Sequence, residues 1–124
     1  LEKDFLPIIC PVGMDEEYNT YNINADDAAC AIARAVKAEK LAFLTDVEGV
    51  YKDFEDKSSL ISEMTVEEAQ KYVDEGQFAP GSMLPKVQAA MDFASSKEGR
   101  SAMITLLEKA KDGIQGKTGT KIHI

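Results

Sequence analysis

Leu41-Ala42-Phe43-Leu44-Thr45-Asp46 is the stretch that decides the fold. Four apolar residues in a row, stopped by a hydroxyl and a carboxylate, read as a strand buried on both faces. Just upstream, Asn24 suits a helix cap, and Asp26 and Asp27 fall in the acidic first turn that the helix dipole favours. Ala25, Ala28, Ala29, Ile32, Ala35 and Val36 then recur at helical spacing, through about Lys37. Further upstream, Phe5–Ile9 is another short apolar run. It ends at the breaker Pro11–Gly13 and predicts a buried strand, and the polar stretch Met14–Tyr21 predicts a loop.

Downstream, Val50–Phe54 and Leu60–Ile61 flank a polar segment and predict a small hairpin. Thr65 and Glu68 form a T-x-x-E capping box. The helix it opens runs to Gly76, with Val66, Ala69 and Val73 inward. Pro80-Gly81-Ser82 is a loop, and Pro85 suits the first position of the next helix. There Val87, Ala90, Met91 and Ala94 mark the buried face. Ala102–Thr105 is a further strand, Leu106–Lys111 a short helix closed by Gly113, and Thr120, Ile122 and Ile124 alternate with Lys121 and His123 as a strand of period two. Strands alternating with helices imply an α/β fold, with a parallel sheet covered by helices on both faces. In such sheets ligands sit beyond the carboxyl ends of the strands, which directs attention to the residues after Ile9, Leu44 and Thr105.

The chain has 124 residues, 44% of them hydrophobic and 29% charged, which fits one globular domain spanning 1–124. A net charge of −8 argues against nucleic acid, which requires a basic face. No apolar run approaches the ~18 residues of a membrane span, and no signal peptide is expected. Leu1 is not an initiator Met, so the chain reads as a processed or excised piece. Cys10 and Cys30 are too few for a disulfide framework and suit a reducing, cytoplasmic setting, although two thiols can in principle pair.

Three groups of residues stand out for chemistry. Lys86 lies in the opening turn of a helix, after Gly81-Ser82-Met83-Leu84-Pro85. A cation there opposes the helix dipole unless an anion binds the same end, so it is either a solvated lysine or part of a phosphate site. Thr45-Asp46 closes a strand at the ligand edge; it is either a turn former or a partner for ribose, phosphate-bound Mg²⁺ or a lysine. Asn22, Asn24 and Asp26 crowd one helix start; capping accounts for the last two but not for Asn22. Gly116-Lys117-Thr118 imitates the end of a phosphate-binding P-loop, but Lys111 stands where that motif needs glycine, and a strand follows instead of a helix. His123, the single histidine, has no triad context, and the two Cys with one His show no zinc spacing, so no protein metal site is expected.

Taken together, the segments resemble the amino-acid kinase family. Leu6–Gly13, Tyr21–Asp26 and Leu44–Tyr51 are similar to its acetylglutamate kinase branch. Gln77–Val87, Ile104–Ala110 and Gly116–Thr120 are similar to its carbamate kinase branch, with the change near Met64–Glu67. The resemblance implies a three-layer α/β/α fold of which this chain is the carboxy-terminal, nucleotide-binding half. The acceptor site, a glycine-rich phosphate loop and a second catalytic lysine would then lie in a missing amino-terminal half. It also implies roles. Lys86 would grip the transferring phosphoryl group, Asp26 would orient Lys86, and Asn22 would touch the acceptor. Thr45, Asp46, Val47 and Tyr51 would line the nucleoside pocket, with Gly81 and Met83 closing over it. The implied ligands are ATP or ADP with Mg²⁺ held mainly through the phosphates. The implied reaction is phosphorylation of N-acetyl-L-glutamate in arginine biosynthesis, or alternatively the carbamate kinase reaction. A chimeric fragment without catalysis, and association through an exposed sheet edge, also belong to this reading.

Overall fold

The computed structural model describes residues 3–124. In chain order its elements are β1 (Val12–Met14), β2 (Thr20–Asn22), α1 (Ala25–Ala35), β3 (Lys40–Thr45), β4 (Val50–Tyr51), β5 (Leu60–Ile61), β6 (Glu63–Thr65), α2 (Val66–Asp74), α3 (Met83–Ser95), β7 (Ser101–Leu106), α4 (Ala110–Ile114) and β8 (Thr120–His123). Single 3-10 turns at Lys57–Ser59 and Leu107–Lys109 lead into β5 and α4.

The central sheet has four strands in the order β3-β7-β8-β6. β3 pairs parallel with β7, in register from Lys40 opposite Ser101 to Thr45 opposite Leu106. β6 pairs parallel with β8. This is the α/β class and mainly parallel sheet that the alternation implies, with one correction: β8 runs antiparallel to β7. The physical reason lies in the connection. α4 has five residues and rises about 7.5 Å, too little to carry the chain back along a six-residue strand of about 20 Å, so the chain reverses instead.

Helices α1 and α3 pack on one another and over the sheet, and α2 packs against α3 and β6. Phe93, Val87, Met64, Ile104 and Ile122 are fully buried between these layers. Successive residues of β7 face opposite ways. Ile104 joins the core under α3, and Thr105 points to the other face, where it meets α4. There the fit is close: a Cβ built on Gly113 would lie 2.7 Å from Thr105 Cγ2. Gly119, at φ +85°, lies in the left-handed region, and a Cβ there would come within 2.7 Å of the Ile104 carbonyl oxygen. That second face is otherwise open around Ala42 and Met103, where Ile114 borders a hollow of about 370 Å³.

Several expectations require correction. Phe5–Ile9 forms no strand; Leu6 and Ile8 are 87% and 94% exposed, because no described strand lies alongside to accept their backbone groups. The Met14–Tyr21 stretch is not all loop. β1 and β2 pair antiparallel, with Gly13 opposite Tyr21. The Asp15 carboxylate closes that hairpin by accepting the Glu17 and Asn19 backbone N–H groups at 2.9 Å each and the Tyr21 hydroxyl at 2.8 Å. Pro85 falls at the third rather than the first helical position, where its missing N–H is still one that no helix carbonyl would accept. α2 stops at Asp74, with Gly76 at φ +71° just beyond it. β6 has no counterpart in the sequence reading: three residues directly before a capping box carry too little periodicity to announce a strand.

The predicted cap of α1 is present: Asn24 Oδ1 accepts the Asp27 N–H at 3.0 Å. So is the capping box of α2, where Thr65 Oγ1 accepts the Glu68 N–H at 3.1 Å and Glu68 Oε2 accepts the Thr65 N–H at 2.9 Å. The hairpin expected from Val50–Phe54 and Leu60–Ile61 is β4 with β5, Val50 opposite Ile61.

Candidate functional site

β3 ends at Thr45, and the chain then leaves the sheet at its carboxyl edge. α3 begins close by at Met83. Between the strand end and the helix start lies a cleft of about 530 Å³. Thr45, Asp46, Val47, Tyr51, Met83 and Lys86, all singled out in the sequence, line this one cleft. Asp46 and Lys86, forty residues apart in sequence, therefore face one cleft because the sheet edge and the start of α3 lie side by side. Thr45 donates its hydroxyl to Asp46 Oδ1 at 3.3 Å, which holds that carboxylate at the strand end.

Lys86 Nζ donates to both oxygens of Asp26, at 3.1 and 3.3 Å. Asp26 lies in the first turn of α1 and Lys86 near the start of α3, so the pair also joins the two helices that pack face to face. Both side chains are largely withdrawn from water, 22% exposed for Lys86 and 15% for Asp26. The lysine is consequently held in one place at the cleft wall, still able to offer N–H groups to an anion. The amino end of α3 has no side-chain cap, since Ser82 makes no capping hydrogen bond. In its first turn the Leu84 N–H already donates to the Ala79 carbonyl at 3.0 Å and Pro85 has no N–H, which leaves the Met83 N–H to meet an anion.

Three of the residues given site roles do not line the cleft: Asp26, which meets it only through Lys86, and Gly81 and Asn22. Gly81 stands in open space, with no atom within 4 Å of where its Cβ would be, and it does not line the cavity; its neighbours Ser82 and Met83 do. Asn22 is exposed at the end of β2, opposite Val12, and is not part of the lining.

Other wall residues were not singled out by the sequence. Gly49 and Val50 form part of the floor. A Cβ on Gly49 would lie 2.6 Å from Thr120 Oγ1 and 3.0 Å from Leu60 Cδ1, so only glycine fits. Phe54, Gln77, Ala79 and the buried Phe78 also line the cleft. Gln77 donates its side-chain amide to the Lys52 carbonyl, tying the α2–α3 connection to the β4–β5 hairpin across the cleft. That tie has no local sequence signal, because its partners are twenty-five residues apart. On the outer side, Lys109 pairs with Glu48 and fastens the loop after β3 to the 3-10 turn before α4. The hydrogen bond to the Glu48 carboxylate, then its charge, raises the Lys109 pKa above the usual lysine value.

Among the described residues, no group of three or more His, Cys, Asp or Glu is arranged to hold a metal ion, and no helix is long and apolar enough to cross a membrane. Cys10 is exposed, Cys30 is buried and both are free thiols.

A cleft at the carboxyl edge of a mainly parallel sheet, with a carboxylate-held lysine in its wall, defines an α/β protein with a ligand-sized cavity at the edge where such sheets take their ligands. The model of the Amino acid kinase family matches residues 1–105, and the chain belongs to that family. An acetylglutamate kinase of Campylobacter jejuni subsp. doylei is 73% identical over 70 residues, which are 56% of this chain and 25% of that protein. An acetylglutamate kinase of Caldanaerobacter subterraneus subsp. tengcongensis is 44% identical over 104 residues, 84% of this chain and 34% of that protein. Among solved structures, carbamate kinase from Giardia lamblia bound to AMP-PNP superposes with a TM-score of 0.75 at 30% identity, over 90% of this chain and 40% of that one. The chain thus spans a quarter to two fifths of the length of these relatives.

Proposed function

We propose that the chain, as one domain over 1–124, is the nucleotide-holding portion of a phosphotransferase that phosphorylates a carboxylate, with N-acetyl-L-glutamate as acceptor. The observation that carries this reading is Lys86 in the wall of the cleft beyond β3, held there by its ion pair with Asp26. The acceptor assignment rests on the acetylglutamate kinases that the chain resembles at 73% and 44% identity. Carbamate is the second reading, favoured by the likeness to carbamate kinase from Giardia lamblia. Cytoplasmic residence and a role in arginine metabolism belong to the first reading.

The chain's own residues divide the work as follows. Lys86 holds the terminal phosphate oxygens and offsets the charge that builds on them during transfer. Asp26 keeps the Lys86 ammonium aimed at that position. Thr45, Asp46, Val47, Tyr51 and Met83 surround the nucleoside, and Gly81 gives the loop before α3 its freedom to close. Asn22 stands on the acceptor side. A carboxylate acceptor is already nucleophilic, so the site requires no general base, consistent with described walls that contain no histidine. Asp26 is engaged with Lys86, and among the described residues Asp46 is the one carboxylate lining the cleft, which suits a Mg²⁺ held mainly through the phosphates. When bound, Mg²⁺ neutralises phosphate charge.

Turnover, in this reading, requires the portion of the relatives that this chain does not span. One donor to the reacting group is worth roughly 2.7–4 kcal/mol of transition-state stabilisation, and acceptor positioning up to about 7–11 kcal/mol. The exposed apolar residues Phe5, Leu6, Ile8 and Ile9, and the edge of β3 that no described strand covers, suit contact with such a portion, or with a second copy. The test is calorimetric titration with Mg²⁺-ADP and Mg²⁺-ATP, followed by coupled ADP release with acetylglutamate or carbamate. Nucleotide binding without acceptor-dependent turnover is expected. Absence of nucleotide binding at millimolar concentration overturns the nucleotide reading, and turnover by the 124-residue chain alone overturns the claim of incompleteness.

A further inference from the structure

Phe54 is a large apolar side chain left 57% exposed at the mouth of the cleft. It is not loose. Its ring meets Tyr51 edge-on, with centroids 5.8 Å apart and planes at 88°. Tyr51 itself is buried and serves as the anchor. The Lys57 ammonium lies 3.5 Å from the Phe54 ring centroid and 4.8 Å from that of Tyr51. Lys57 in turn begins the 3-10 turn that the Asp56 side chain caps through the Ser58 N–H, so the ammonium is carried on a shaped segment of the hairpin. A cation over a ring is attracted by its electron-rich face and draws on that density. One side of Phe54 is therefore engaged within the protein, and the ring also borders a cavity of a size suited to a small ligand.

We propose that Phe54 is the stacking residue for the ligand's planar base, and that Lys57 and Tyr51 are the positioning residues that hold its ring in place. The proposal rests on the reading of the cleft as a nucleotide site and assigns the base end of the ligand to the β4–β5 hairpin, opposite Lys86. A base offers a flat, polarisable face to an aromatic ring, and such stacking contributes to affinity without reading any hydrogen-bond pattern. Phe54 accordingly contributes the same increment to every ligand that carries the base, whatever its phosphate number. Lys86 contributes only where phosphates are present.

The chain contains no tryptophan, so Phe54→Trp introduces a single fluorophore at the site in question. Titration of that variant with ADP or adenosine is expected to quench its emission, and tripolyphosphate to leave it unchanged. In calorimetry, Phe54→Ala is expected to weaken ADP and AMP by one common factor, roughly ten- to a hundredfold, with tripolyphosphate affinity unchanged. Lys57→Met is expected to produce a smaller loss of the same base-specific kind. Circular dichroism is expected to match the wild type, since the Phe54 ring is mostly in solvent. Wild-type affinity for AMP in Phe54→Ala, or an equal loss for tripolyphosphate, overturns the proposal and leaves the nucleotide reading standing. A wild-type chain that binds neither ADP nor tripolyphosphate overturns the nucleotide reading and this proposal with it.

Discussion

The Thr120 hydroxyl accepts the backbone N–H of Val50 at 2.8 Å, across seventy residues of sequence. The same hydroxyl donates to the Ile61 carbonyl at 2.5 Å. One buried side chain on β8 thereby fastens both strands of the β4–β5 hairpin, and with them the floor of the cleft, to the central sheet.

Thr120→Val should remove both bonds while keeping the shape, leaving a buried N–H and a buried carbonyl without this partner. A loss of about 1–3 kcal/mol is expected for each group so stranded, read from denaturant unfolding. Thr120→Ser keeps the hydroxyl and should recover most of it. Equal destabilisation by Val and Ser would mean that the methyl group, not the hydroxyl, matters there.

Gly49→Ala should also disturb this joint, because the new Cβ would meet Thr120 Oγ1 at 2.6 Å and the Thr120 backbone nitrogen at 3.1 Å. Overpacking of this kind costs about 1–3 kcal/mol. Thermal unfolding should show it, and the double change Gly49→Ala with Thr120→Ser should be no milder, since the hydroxyl oxygen and the backbone remain in place.

Lys86→Ala should weaken ATP more than adenosine, because only the phosphates meet the ammonium. A charge-assisted hydrogen bond is worth about 1.5–3 kcal/mol, an order of magnitude or more in affinity. Calorimetry on both ligands reads the difference. An equal loss for adenosine would show that Lys86 serves the α1–α3 contact through Asp26 and nothing else.

The β1–β2 hairpin should open in acid. Hydrogen bonds from the Tyr21 hydroxyl first, and then from Asn19, hold the Asp15 carboxyl below its usual 3.8. A depressed folded-state value means the contribution is fully present above about pH 3.8 and is lost as pH falls through the lower folded value. Tyr21 has the opposite sign: its bond to Asp15 raises it above 10.0, so that contribution is present below pH 10.0 and is lost as pH rises beyond it. Amide exchange at Gly13, Asp15 and Tyr21, whose N–H groups point across the ladder, should report both limits, and Asp15→Asn should flatten the acid one. Unchanged protection from about pH 6 down to about 2 would remove Asp15 from this role.

Self-association should follow concentration. β3 pairs on one side with β7 and has no described strand on the other, and the apolar run from Phe5 to Ile9 lies exposed. Open edges of this kind pair with other chains. Light scattering across a dilution series should show dimers or larger species, and Ile8→Lys should reduce them. A strictly monomeric chain at high concentration would argue that the edge is protected.

What the sequence by itself determined is local or periodic. The α/β class follows from apolar runs alternating with helical spacing. Asn24 and the Thr65–Glu68 box announce their helix starts because a cap and the N–H it accepts are three residues apart. Thr45, Asp46 and Lys86 were legible as a pair of strand-end and helix-start signals. Tertiary structure alone decided what joins segments distant in sequence. It set the antiparallel return of β8, the Gln77 tie to Lys52, the Thr120 clamp on Val50 and the Lys86–Asp26 pair sixty residues apart. It also decided against a strand at Phe5–Ile9 and against Gly81 in the cleft wall. The reason is common to all of these. Periodicity and capping record the interactions of a segment with itself, whereas a strand needs a neighbour and a cleft needs two walls. Which neighbours meet is fixed only when the sheet order brings the end of β3, the hairpin after it and the start of α3 to one edge.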